Sequence, residues 1–251
     1  HPLYVTANKV KASYFNYRLT SRFQPIHNIR NGRIEAHEAL IVVKPFHGDA
    51  RDLSPLSIFK MPFDQAGITY IDRLARTVNT LNFLAQDGQN QLHLNVHPLH
   101  LSAVTSDHGK VFEGILRQCG IEPFRITLEI QTDAVPDKKV LKNAIKAWQD
   151  KGYKISFDNV HTDTDSFQSL LRYRPDVIKL DRRWLLLADQ APNAFMHLQE
   201  CVGIARTNGI DTIATGVETA SQLDLVRQLA IDKAQGNLLG RPAGHIEGDS
   251  Q

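Results

Sequence analysis

The chain has 251 residues, 42% of them hydrophobic and 22% charged, a balance that lets one large core form without disulfide or metal staples. Its 29 basic and 27 acidic side chains leave a net charge of +2, which excludes capture of a nucleic-acid polymer by overall charge. No apolar run reaches the ~20 residues of a bilayer-spanning helix and no export signal opens the chain, so the segment is expected to lie outside the membrane, in the cytoplasm, alone or as part of a larger protein.

Residues 1–20 carry apolar side chains at mixed spacing around Val10, Tyr14 and Leu19, which predicts an entry helix. Strands are then predicted at Ile34–Val43, Gln91–Val96, Arg125–Ile130, Lys154–Asp158, Val177–Leu180, Thr212–Thr215 and Lys233–Gly236. Helices are predicted between them, at Ile71–Ala85, Val111–Cys119, Lys138–Lys151, Ser166–Tyr173, Ala194–Asn208 and Ala220–Ala230. This alternation is the mark of an α/β fold with parallel strands and crossover helices. With no break in composition, it favours one closed TIM-like (β/α)8 barrel over 21–245, followed by a tail at 246–251, above an open doubly wound sheet. Cys119 and Cys201 lack metal-type spacing and read as core or helix residues in a reducing compartment.

Five of these strands carry a polar side chain near the C-terminal end: Glu38, Asn95, Glu129, Asp158 and Lys179. Barrels gather such ends at one mouth, where active sites sit. Three carboxylates and an amide form a hard-oxygen set suited to Mg²⁺ or Mn²⁺, and so to phosphoryl chemistry. His93 and His97 alternate with Asn95 and stand as further candidates, although a histidine in a barrel layer is more often a packing residue.

Segments in chain order resemble the EAL-domain family, whose members are similar to cyclic di-GMP phosphodiesterases. They are Phe23-Gln24-Pro25-Ile26, Glu38-Ala39-Leu40, Leu94-Asn95-Val96-His97-Pro98, Leu128-Glu129-Ile130, Asp158-Asn159-Val160-His161, Ile178-Lys179-Leu180-Asp181, Ala214 to Thr219, and Gln235-Gly236 through Arg241-Pro242. The resemblance implies a barrel with an irregular antiparallel first strand, and hydrolysis of cyclic di-GMP to linear pGpG with two Mg²⁺ or Mn²⁺ ions in active members. Carried over residue by residue, it implies a first metal at Glu38, Asn95, Glu129 and Asp158, with Lys179 as a retained catalytic residue. Leu40, Asp181, Glu218 and Gln235 follow as ligand-binding residues.

The departures point the other way. Asn159 and Thr215 stand where the family places carboxylates for the second metal and the base, Val42 stands where it places a phosphate-binding arginine, and the loop after Asp158 lacks glycine. Asp163 and Asp165 are the local residues that would restore a ligand, against their plainer reading as turn and helix-cap composition. The expectation is therefore a degenerate EAL domain with one metal site and no second, acting through a protein partner or cyclic di-GMP, with weak phosphodiesterase activity as the alternative. Val42 favours the protein partner; the retained metal set and Lys179 favour the dinucleotide. A homodimer is a further expectation, its handle being Phe167, Leu170, Leu171 and Tyr173, whose plain reading is core packing.

Overall fold

The computed structural model describes residues 2–6, 9–47, 52–61, 64–103, 110–131, 135, 137–160 and 164–248. The chain opens with β1 (Leu3–Thr6), β2 (Lys9–Tyr14), β3 (Tyr17–Asn28) and β4 (Ile34–Pro45). Strands β5 (Gln91–Asn95), β6 (Ile126–Gln131), β7 (Lys154–Val160), β8 (Val177–Leu180), β9 (Asp211–Ala214) and β10 (Lys233–Ala234) then alternate with helices. These are α1 (Pro55–Phe59), α2 (Gln65–Leu84), α3 (Pro98–Ala103), α4 (Lys110–Cys119), α5 (Lys138–Gln149), α6 (Thr164–Leu171), α7 (Arg182–Gln190), α8 (Pro192–Thr207) and α9 (Ala220–Gln228).

Strands β3 to β10 close into an eight-stranded barrel, because β3 pairs with β4 on one side and with β10 on the other. From β4 to β10 every neighbouring pair is parallel, whereas β3 runs antiparallel to both of its neighbours. The open doubly wound sheet is excluded by this closure, and the irregular first barrel strand is present as expected.

The predicted entry helix is not formed. Residues 3–6, 9–14 and 17–20 are strand in β1, β2 and the start of β3, the last two joined by a tight turn at Phe15-Asn16 with Phe15 at φ 48°. Val10, Ala12 and Tyr14 alternate with polar neighbours, a period of two that mixed helical spacing had obscured. A tertiary contact decides the matter: the Asn82 amide on α2 accepts from the Val10 N–H and donates to the Val10 carbonyl, each at 2.8 Å. Helices α1, α3 and α7 were not foreseen; α1 and α3 are short, and α7 follows β8 after a single capping residue, Asp181.

Three cores form, one of them, with Leu19, Val43, Ile71 and Val78, between the amino-terminal strands and α2. Outward residues such as Leu92, Leu94, Leu128, Ile155, Phe157, Ile178 and Leu180 are buried beneath the helices, in one cluster with Trp148, Leu198 and Val226. Cys201 belongs to that core and Cys119 packs against it. Phe167 and Tyr173 are buried there too, with Leu170 and Leu171 packed on them, so this group faces inward. Inside the barrel Ile26, Ala36, Val177 and Ile213 form a separate small cluster. Two residues further along three of those strands stand Glu38, Lys179 and Thr215, which alternation directs to the same interior at the level of the mouth.

The loops after β9 and β10 close against each other at Gly236. Val217 N–H donates to the Gln235 carbonyl at 3.1 Å, and Leu238 N–H donates to the Val217 carbonyl at 3.1 Å. A Cβ on Gly236 would run into the backbone of Val217, which cannot give way without breaking this pair. Gly236→Ala is expected to lower unfolding free energy by about 1–3 kcal/mol in urea titration, with the loss concentrated at the mouth.

Candidate functional site

Lys179 on β8 rises through the barrel axis, its side chain only 2% exposed, and its ammonium sits between two carboxylates. Nζ donates to Glu38 Oε2 on β4 at 2.7 Å and to Glu129 Oε1 on β6 at 2.8 Å. Register explains the meeting: Glu38 pairs with His93, Asn95 with Glu129 and Gln131 with Asp158, so the polar ends step around the ring. Asn95 Nδ2 donates to the other oxygen of Glu38 at 3.0 Å. Gln235, just past β10, donates from Nε2 to Glu38 Oε2 at 2.8 Å and to Gln24 Oε1 at 2.9 Å. Below them His93 Nδ1 lies 2.7 Å from Glu129 Oε1.

Three buried charges in contact cannot all be independent. Burial alone would raise Glu38, but the Lys179 charge and its hydrogen bonds, helped by Gln235 and Asn95, hold it down to about 2. Glu129 goes the opposite way, pushed up to about 8 by burial and by the neighbouring Glu38 charge. Burial works against the ammonium of Lys179, yet Glu129, Glu38 and Asp158 outweigh it and keep its pKa above the ordinary lysine range. Burial and Lys179 lower His93 to about 3, so the ring is neutral at pH 7, and its Nδ1 shares a hydrogen bond with Glu129 Oε1 whose direction follows the ring tautomer. Among the described residues Glu129 Oε2 is left buried without a hydrogen-bond partner. Asp158 is raised, first by burial.

Two hollows adjoin this cluster and share Glu38. A lateral one of about 540 Å³ lies over β4, β5 and α2, bordered by Leu40, Phe59, Asp72, Arg76, Asn95, His97 and Glu129. A polar one of about 330 Å³ lies over β7 to β10, bordered by Asp158, Asn159, Lys179, Thr215, Glu218 and Gln235. Most of the expected residues therefore converge, including Leu40, Glu218 and Gln235. Asp181 borders neither hollow; it caps α7, accepting from Arg183 N–H at 2.8 Å. Glu218 is exposed and ion-paired with Arg182 at 3.2 Å. His97 is turned from the cluster, its ring stacked on Phe59 at 4.5 Å.

Among the described residues, no three His, Cys, Asp or Glu side chains are drawn together as a ready metal cage. Lys179 occupies the middle of the expected set instead. Thr215 Oγ1 donates to the Leu180 carbonyl at 2.9 Å, and Val42 is buried in the β3–β4 ladder opposite Thr20. Asn159 adopts φ 53° at an irregularity between β7 and β8, a left-handed backbone that asparagine tolerates, while His161 to Asp163, where the expected glycines are missing, lie outside the described residues. Asp163 lies outside the described residues, as does the side chain of Asp165. Sequence reading missed Gln24, whose amide orients Gln235, although its segment was in view. It also missed Asp72 and Arg76, whose i,i+4 spacing looks like an ordinary surface pair but is buried.

A closed barrel with a lysine–carboxylate cluster and two hollows at the C-terminal strand ends defines a protein that works at its mouth. The chain belongs to the EAL-domain family, whose sequence model matches residues 8–242. It is 24% identical over 230 residues to cyclic di-GMP phosphodiesterase NbdA of Pseudomonas aeruginosa, covering 90% of this chain and 29% of that protein. It is 28% identical over 149 residues to the bifunctional diguanylate cyclase/cyclic di-GMP phosphodiesterase MucR of the same organism, covering 57% and 22%. The chain spans less than half the length of the curated relatives it matches. Klebsiella pneumoniae BlrP1, solved as a manganese/cyclic di-GMP complex, shares the fold at TM-score 0.78 and 22% identity over 90% of this chain and 56% of that one. A standalone EAL protein of Vibrio cholerae, solved with cyclic di-GMP bound, shares it at 0.79 and 16% over 94% and 97%.

The cluster sets a pH signature. Glu38, depressed from 4.5 to about 2, contributes stability that is present above pH 4.5 and lost as pH falls toward 2. Lys179→Met, which strands the Glu38 carboxylate, is expected to cost about 3–5 kcal/mol at pH 7, a deficit that shrinks through this acid window. Glu129, raised from 4.5 to about 8, retains a proton that the unfolded chain releases, so stability declines as pH rises between those values. In urea titrations Glu129→Gln, which cannot titrate, should flatten that decline.

Proposed function

We propose that this EAL domain serves in cyclic di-GMP signalling as a binding domain that holds the dinucleotide without hydrolysing it at a useful rate. The carrying observation is the commitment of groups in the polar hollow. Thr215 is bonded to the backbone and Asn159 is a neutral amide, while Glu38 is tied to Lys179 and Glu218 to Arg182. Asp158 alone remains among the lining carboxylates to activate a water. Two-metal hydrolysis needs anionic ligands on both sides of the reacting phosphate, and among the described residues this side offers only Asp158 uncommitted.

Binding is supported by the paired hollows, whose volumes fall within the range of small-ligand sites. One hard divalent ion fits the donor set: Glu129 Oε2 is buried and unpartnered, and the oxygens of Glu38, Asn95 and Asp158 border the same mouth. Bound there, it would neutralise ligand phosphate and polarise an oxygen attached to it. The chain's own share is to hold Glu38 through Asn95 and Gln235, to keep Glu129 turned by His93, and to present the Lys179 ammonium beside the phosphate path. A protein partner is the second reading, favoured by Val42, which leaves an apolar side chain where related proteins resemble one another in carrying a phosphate-binding arginine.

Calorimetric titration of cyclic di-GMP with Mg²⁺ or Mn²⁺ present, followed by chromatography of the cell contents, should show binding and intact dinucleotide. Linear product would return the domain to the enzymes, and absence of heat at millimolar ligand would favour the protein partner. Asn159→Asp combined with Thr215→Glu is expected to bring linear dinucleotide above the wild-type background. Failure of that pair would place the loss in Val42 or in the loop after Asp158.

A further inference from the structure

We infer that Arg76 determines ligand specificity in the lateral hollow, receiving a phosphate of a nucleotide whose base stacks against the Phe59–His97 ring pair. The inference rests on the binding reading above and adds residues outside the motifs that led to it. Among its described lining residues this hollow has three carboxylates, Glu38, Asp72 and Glu129, and one lysine or arginine, Arg76. Among those residues Arg76 is the fixed cation that an anionic ligand entering there would meet.

The guanidinium is built in, not loosely placed. Its side chain is 4% exposed; NH2 is held by Asp72 Oδ2 at 2.8 Å, and the Phe112 ring lies 5.2 Å beneath its central carbon. Nε is buried and has no acceptor among the described residues. A guanidinium cannot shed its charge, so this donor stays ready for an acceptor from whatever fills the space. Phosphate oxygens suit it best, giving charge-assisted hydrogen bonds.

The same carboxylate places the stacking surface. Asp72 Oδ1 accepts the His97 N–H at 2.8 Å, which fixes the turn after β5, and the His97 ring lies on Phe59 at 4.5 Å and 20°. Pro55, Pro98 and Leu99 complete an apolar wall suited to the flat face of a base. Lys179 borders the polar hollow and Arg76 the lateral one, so a ligand with two phosphates spanning Glu38 meets one cation on each side.

Two measurements test this. In ¹⁵N-detected spectra of the wild-type chain, with the Arg76 Nε–H signal identified by its loss in Arg76→Lys, GMP should shift that signal and guanosine should not. Titrations of cyclic di-GMP should then show Arg76→Lys, which keeps a cation beside Asp72 and loses the Nε–H, binding several-fold more weakly than wild type. Asp72→Asn/Arg76→Met, which leaves no stranded buried charge, should weaken binding roughly ten- to a hundredfold. Equal response of the signal to GMP and guanosine, or unchanged affinity in the double variant, overturns the role of Arg76 while leaving the binding reading intact. Absence of cyclic di-GMP binding by the wild-type chain overturns both.

Discussion

The structure of the mouth depends on one buried ammonium. Taking Lys179 out of water costs several kcal/mol unless its partners are close and fully bonded, and the barrel meets that demand with Glu38 and Glu129 at hydrogen-bond distance. Once those two carboxylates converge, the rest of the cluster is constrained. Asn95 and Gln235 must donate to Glu38, Gln24 must orient Gln235, and His93 must be neutral and aimed at Glu129. One positive charge serves two acids, so one acid ionises readily and the other retains its proton toward neutral pH.

The arrangement divides the mouth into unlike halves. Over β4 to β6 stand the acids and the amide that suit a hard cation, beside a hollow with apolar and aromatic walls. Over β7 to β10 stand Asn159 and Thr215, neutral groups whose hydrogen bonds go to the chain itself or whose backbone is spent on an irregular strand end. On the binding function proposed above, such a site would place a phosphate-bearing ligand without cleaving it. The buried Asp72–Arg76 pair extends the first half, since its carboxylate also fastens the turn that carries His97.

Most of the barrel was legible because its strands and helices bury complete faces. The parallel strands alternate outward apolar residues with inward ones that become polar toward the mouth, and the predicted bounds fall within a few residues of the observed ones at β5, β6, β8 and β9. The amino-terminal segment failed as a helix because its short strands are half-exposed. Their pattern is weak, and they are held by β3 and by Asn82 on α2, distant partners that local spacing does not reveal.

By itself the sequence determined the fold class, the family motifs, and which polar side chains stand at strand ends, because periodicity and residue chemistry are properties of the chain. Only the tertiary structure decided who partners whom. That Lys179 bridges Glu38 and Glu129, that His93 serves Glu129 while His97 lies on Phe59, and that Asp72 and Arg76 are buried beside a hollow follow from barrel closure and strand register. Closure brings residue 38 against residue 179, and the energy of a buried charge depends on such distances, which one-dimensional spacing does not contain.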